Sequence, residues 1–121
     1  MKGADYLREF RLEDGLPVWT YQVRDSILEK RVILPHLQNT VHVSYRIVDG
    51  TQGFHLELHP AFHFRHHEIS VNKGNAGPYR LSAMGSRYEI SAPRGFPPLR
   101  FQLCGPKAAF TISEHKIQQI V

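Results

Sequence analysis

A chain of 121 residues, 41% hydrophobic and 21% charged, is long enough for one packed domain and too apolar for a disordered tail. No apolar run approaches bilayer-spanning length, the opening MKGADYLREF lacks the apolar core of a secretory signal, and the single Cys104 excludes an internal disulfide. The formal charge of +4 comes from scattered Lys and Arg rather than a basic block, so neither nucleic acid nor membrane is an expected partner, and the free thiol fits a reducing, cytoplasmic location.

Taken in order, Asp5–Leu12 is predicted as a strand with Tyr6, Phe10 and Leu12 on one side and Glu9 and Arg11 on the other. Asp14-Gly15 supplies the positive-φ pair of a tight hairpin. Val18–Val23 follows as a strand that places Trp19, Tyr21 and Val23 on one face and Thr20, Gln22 and Arg24 on the other. Arg24-Asp25-Ser26 is the next turn.

Ser26–Gly50 is the densest strand signal, with two β-branched runs, Ile27–Leu34 and Thr40–Val48, joined through Pro35–Asn39. The first run mixes apolar and charged residues on both faces, which predicts a strand covered on both sides. Glu29, among apolar neighbours and beside Lys30 and Arg31, is predicted to form ion pairs. After the Asp49–Gly53 turn, Phe54–Phe64 alternates cleanly. Phe54, Leu56, Leu58, Phe62 and Phe64 face one way, His55, Glu57, His59, His63 and Arg65 the other, and Pro60 marks an edge or a bulge.

Beyond Glu68 the texture changes to a loop at Asn72–Pro78 and short strands at Tyr79–Ala83, Arg87–Ser91, Leu99–Leu103 and Ala108–Ile112. About nine or ten short strands with Gly/Pro turns, and no sustained 3.6-residue repeat, predict an all-β antiparallel sandwich or barrel in a single domain over residues 1–121. The chain ends on the apolar Ile120-Val121, which predicts excision from a longer polypeptide.

Five of the eight histidines fall between His55 and His67, which invites a metal site. On a strand, however, residues four apart are separated by roughly 13 Å, whereas zinc ligands converge within about 2.1 Å of one ion. His55, His59 and His63 therefore bind one metal only if Pro60 bends the run sharply, and polar-face residues are the expected reading. No cofactor is expected. No carboxylate pair lies in a catalytic motif, and neither a G-x-S-x-G elbow nor a phosphate-binding glycine loop is present. Trp19 and Tyr21, sharing a strand face, are candidates for a stacking platform.

The segments YLREFRLEDGLPVWTYQV, ILEKRVILPHLQNTVHVSYRIVDG and FHLELHPAFHFRHHE, in that order, resemble the N-terminal β-domain of bacterial and archaeal-type glycogen debranching enzymes, the amylo-α-1,6-glucosidases. The likeness is carried by Tyr6–Leu12, Pro17–Tyr21, Leu28–Val32 with Pro35, Asn39–Arg46 and Leu58–Arg65. It covers residues 5–68 and loosens after Ile69. The resemblance implies part of a large two-sheet supersandwich preceding an (α/α)6-barrel catalytic domain in the same polypeptide. That barrel holds the family's catalytic carboxylates, and no segment here matches it, so no catalytic residue carries over. The resemblance also implies opening strands that usually precede Tyr6, which are expected to be missing from this piece. A non-catalytic domain that supports the barrel and contacts α-glucan is expected. Trp19, Tyr21, His59, His63, Arg65, His66 and His67 are the candidate glucan or interdomain contacts, and exposed strand edges favour self-association. The alternatives are a small metal-dependent β-barrel enzyme using His55–His67 and a free-standing carbohydrate-binding module.

Overall fold

A computed structural model describes residues 3–50, 55–70, 78–93, 95–105 and 108–111. The expected turn at Thr51–Gly53, the strand start at Phe54, residues 72–77 of the long loop, Arg94, Pro106-Lys107, Ile112 and the Lys116–Val121 end lie outside these residues. The chain divides into two compact units, Met1–Leu58 and His59–Val121.

The first unit opens with a single 3-10 turn, Gly3–Tyr6, followed by four strands: β1 (Leu7–Glu13), β2 (Leu16–Val23), β3 (Ser26–Ile33) and β4 (His42–Asp49). They form an antiparallel meander in the order β1-β2-β3-β4. The β1–β2 turn is the predicted one: Asp14 (φ 52°) and Gly15 (φ 80°) are both left-handed, and that twist matches the flanking strands. Arg24 (φ 54°) turns β2 into β3. After β4 the chain passes Gly50 (φ 106°), where a Cβ would meet Ser26 Oγ and lie 2.8 Å from Ser26 Cα. Only glycine fits there.

The second unit holds β5 (Arg80–Met84), β6 (Arg87–Ser91) and β7 (Leu99–Gln102), antiparallel in that order. Ile90 is buried between Leu81 and Leu99 in the ladder, and aromatic rings contact one another along this unit. Tyr88 lies 5.1 Å from Phe101 and 4.4 Å from Phe110, and Phe62 stacks on Phe101 at 5.6 Å. Two antiparallel sheets with one helical turn establish the all-β class that the sequence predicts.

Several boundaries differ. The first strand begins at Leu7 rather than Asp5, because Asp5 and Tyr6 belong to the 3-10 turn. Described residues 55–64 form no strand, and neither do 108–111, so seven strands stand among the described residues where nine or ten are expected. Alternation in 54–64 selects Phe62 and Phe64, each in ring contact, but also Leu56 and Leu58, which are exposed. It does not supply ladder partners, and Pro60 removes one donor outright. A bulge between Leu7 and Glu9 also breaks simple alternation. It places Leu7 opposite Tyr21 and Phe10 opposite Trp19, on one face, although they stand an odd three positions apart in sequence.

Candidate functional site

Register divides the four-stranded sheet into two chemically different faces, because directly opposed residues share a side. On one face the rows are Glu9–Thr20–Glu29–Arg46 and Arg11–Val18–Arg31–Ser44. On the other, Phe10, Trp19, Lys30 and Tyr45 form one row across all four strands, beside Tyr21, Leu28 and Ile47.

The first face is built around Glu29, whose side chain is only 6% exposed. Arg31 Nε donates to its Oε1 at 2.7 Å, Arg11 Nη2 to its Oε2 at 2.8 Å and Arg46 Nη2 to Oε1 at 3.3 Å. Arg31 also spans Glu13 with bonds of 2.9 and 3.0 Å, and Arg11 reaches Glu13, Glu9 and the Thr20 hydroxyl. Three arginines therefore neutralise three glutamates over the fully buried Val18. Hydrogen bonds from Arg31, then from Arg11, hold the Glu29 carboxyl at about 2 against an opposing effect of burial. Glu13 is lowered as well, chiefly by Arg31, while Arg11 and Arg31 are raised chiefly by Glu29.

Two open depressions of about 600 and 530 Å³ flank Glu29, one against Arg46 and Ser44, the other against Arg8 and Val48. Their chemistry is that of a closed ion network. A glycosidase acid needs a carboxyl kept protonated near neutral pH, and Glu29 is driven the opposite way. The predicted ion-pair role is therefore correct, with one change of partner: Lys30 lies on the other face, its Nζ 4.8 Å from the Trp19 ring centroid.

That second face carries two of the sequence-predicted site residues. Trp19 and Tyr21 are half-buried neighbours along β2, and the Phe10 and Trp19 rings lie 5.3 Å apart with a 45° tilt. Burial, and then the electrostatic influence of the Tyr21 hydroxyl, push the Tyr45 hydroxyl upward. Phe10 is 55% exposed, Leu12 66%, Val43 49% and Ile47 42%. This is a broad apolar face with an aromatic row across its middle. Sequence reading selects Trp19 and Tyr21 but misses Phe10, Lys30 and Tyr45, which reach the row through three different strand registers.

The other five predicted residues lie in the second unit and do not form a comparable cluster. His59, His63, Arg65, His66 and His67 are exposed. The Arg65 guanidinium is engaged internally, donating to the carbonyls of Ile69, His67 (3.1 Å) and His66, and thereby closing its own loop. His66 packs on Phe96 at 5.0 Å, and Phe96 on Phe64 at 6.1 Å. Among the described residues no three His, Cys, Asp or Glu side chains gather into a group able to hold a metal ion. No described helix is long and apolar enough to cross a membrane.

A family model described as "Glycogen debranching enzyme N terminal" matches residues 1–120. The match thus extends through the second unit, where the sequence likeness is loose. No curated protein and no solved structure matches the chain.

Proposed function

Because the chain belongs to the glycogen debranching enzyme N-terminal family, we propose that it is the non-catalytic β-domain of an amylo-α-1,6-glucosidase, serving cytoplasmic glycogen breakdown. The debranching chemistry resides in an (α/α)6 domain of the same polypeptide, and the apolar face of β1–β4 docks against it. One observation carries this reading. Phe10, Trp19 and Tyr45 form an aromatic row flanked by the exposed Leu12, Val43 and Ile47, a patch of the kind that marks an interaction surface. The opposite face has no comparable demand for a partner, since its charges already satisfy one another.

The pair of exposed Phe10 and half-buried Trp19 supports a second contact, with α-glucan, because aromatic rings present flat apolar surfaces on which a sugar ring can lie. His59, His63, Arg65, His66 and His67 remain interdomain candidates as a loop surface, with Arg65 acting through loop shape rather than as a free cation.

The test is to express the chain alone and joined to its downstream sequence, and to assay both for release of α-1,6-linked glucose. Activity is expected only in the longer polypeptide, and there Phe10→Ala with Trp19→Ala should lower activity and the melting temperature together. Debranching by the isolated chain would overturn the reading. Calorimetry of the isolated chain with millimolar maltooligosaccharide separates the two contacts: heat that vanishes in Trp19→Ala supports glucan contact, and no heat leaves docking as the role.

A further inference from the structure

We infer that β4 is a self-pairing edge: two copies of this chain join antiparallel through β4, with Tyr45 on the dyad, to make one continuous eight-stranded sheet. The edges of the two sheets differ in kind. β1 is bulged at Arg8, and four of its seven residues are charged, devices that blunt an edge. β5 and β7 are only five and four residues long. β4 has eight residues, HVSYRIVD, with neither proline nor lysine. It ends the sheet, and every residue but Tyr45 is exposed. Its pairing with β3 is regular from His42 to Ile47, and the irregularity falls at Val48. Among the described residues no strand takes its outer side. Unpaired N–H and C=O groups along such an edge are a template for another strand.

The occupant follows from self-complementarity. A two-fold axis normal to the sheet keeps each face on its own side, so paired residues must have the same parity in sequence. With Tyr45 on the axis, Val43 meets the second copy's Ile47 on the apolar face, and Tyr45 meets the second copy's Tyr45. On the other face Ser44 meets the second copy's Arg46. The two aromatic rows then run end to end across both sheets. Moving the axis to Arg46 sets arginine against arginine. Moving it to Ser44 sets His42 against Arg46 and leaves Ile47 opposite Val41, outside the strand. Like charges directly opposed destabilise a sheet pair, whereas aromatic and β-branched pairs stabilise it.

The test is sedimentation and cross-linking of the whole chain, in a Cys104→Ser background because Cys104 is an exposed thiol. Sedimentation at about 100 µM should give twice the 13.9 kDa chain mass, with no larger species. Ile47→Lys should return the monomer mass while keeping the far-ultraviolet signature of the sheet. Under mild oxidation Tyr45→Cys should form a covalent dimer, as should the Val43→Cys/Ile47→Cys double variant, which crosses the pair without altering the dyad tyrosine. Ile47→Cys alone should not cross-link: its copies lie four residues apart along the strands, roughly 13 Å, beyond the about 7 Å that a disulfide spans. A monomer at millimolar concentration, open-ended assemblies, or cross-linking of Ile47→Cys in preference to Tyr45→Cys would each overturn the inference.

Discussion

Glu29→Gln isolates what the buried carboxylate contributes, because it keeps the volume and removes the charge. Glu29 is held at about 2 against an ordinary 4.5. If the shift acted in full, linkage would place an upper limit of about 3 kcal/mol on its contribution at neutral pH. The layer over it is thin, however: the side chains of Arg31, Arg11 and Arg46 are 31%, 35% and 69% exposed. Solvent screening at such guanidinium groups reduces the expected loss to about 1–2 kcal/mol. With a urea slope of about 2 kcal/mol per molar, the unfolding midpoint should fall by about 0.5–1 M. The pH dependence has a definite sign. A depressed carboxyl stabilises fully above its unfolded value and loses that contribution as pH falls from about 5 toward 2. The gap between parent and variant should therefore be largest near pH 7 and shrink through that acid window. Equal midpoints at pH 7, or a gap that widens in acid, would refute the assignment of Glu29 as the anchor of the network.

Three further outcomes follow from the same geometry. Gly50→Ala should cost about 2–3 kcal/mol, read as a lower urea midpoint, since a Cβ collides with Ser26 at a positive φ; a neutral result would mean that the β4 exit is laxer than the close approach implies. Val18→Ala should cost about 1–3 kcal/mol, because Val18 is fully buried beneath the arginine layer. Calorimetric melting of the two variants checks both. Zinc or nickel added in excess should leave the melting temperature unchanged, as no three-ligand group gathers among the described residues, and a rise of several degrees would restore the histidine site.

The alternating pattern by itself determined the strands from β1 to β7 to within a few residues, the Asp14-Gly15 turn and the faces of β2 and β3. These follow from local chemistry: side chains alternate with a period of two, and few residues accept positive φ. The same periodicity overreached at 54–64, where Leu56 and Leu58 are exposed, because alternation says nothing about whether a backbone partner exists. Of the partners of Glu29, Arg31 was legible two residues along the same strand, whereas tertiary structure alone decided Arg11 and Arg46. Arg11, Glu29 and Arg46 come from three strands, and only the registers of β1–β2, β2–β3 and β3–β4 bring them together. It also decided the aromatic row. Trp19 was legible as one half of a platform, but Phe10 reaches it through a bulged strand and Lys30 and Tyr45 through successive pairings. Register is a property of two strands at once, whereas sequence periodicity describes one strand at a time.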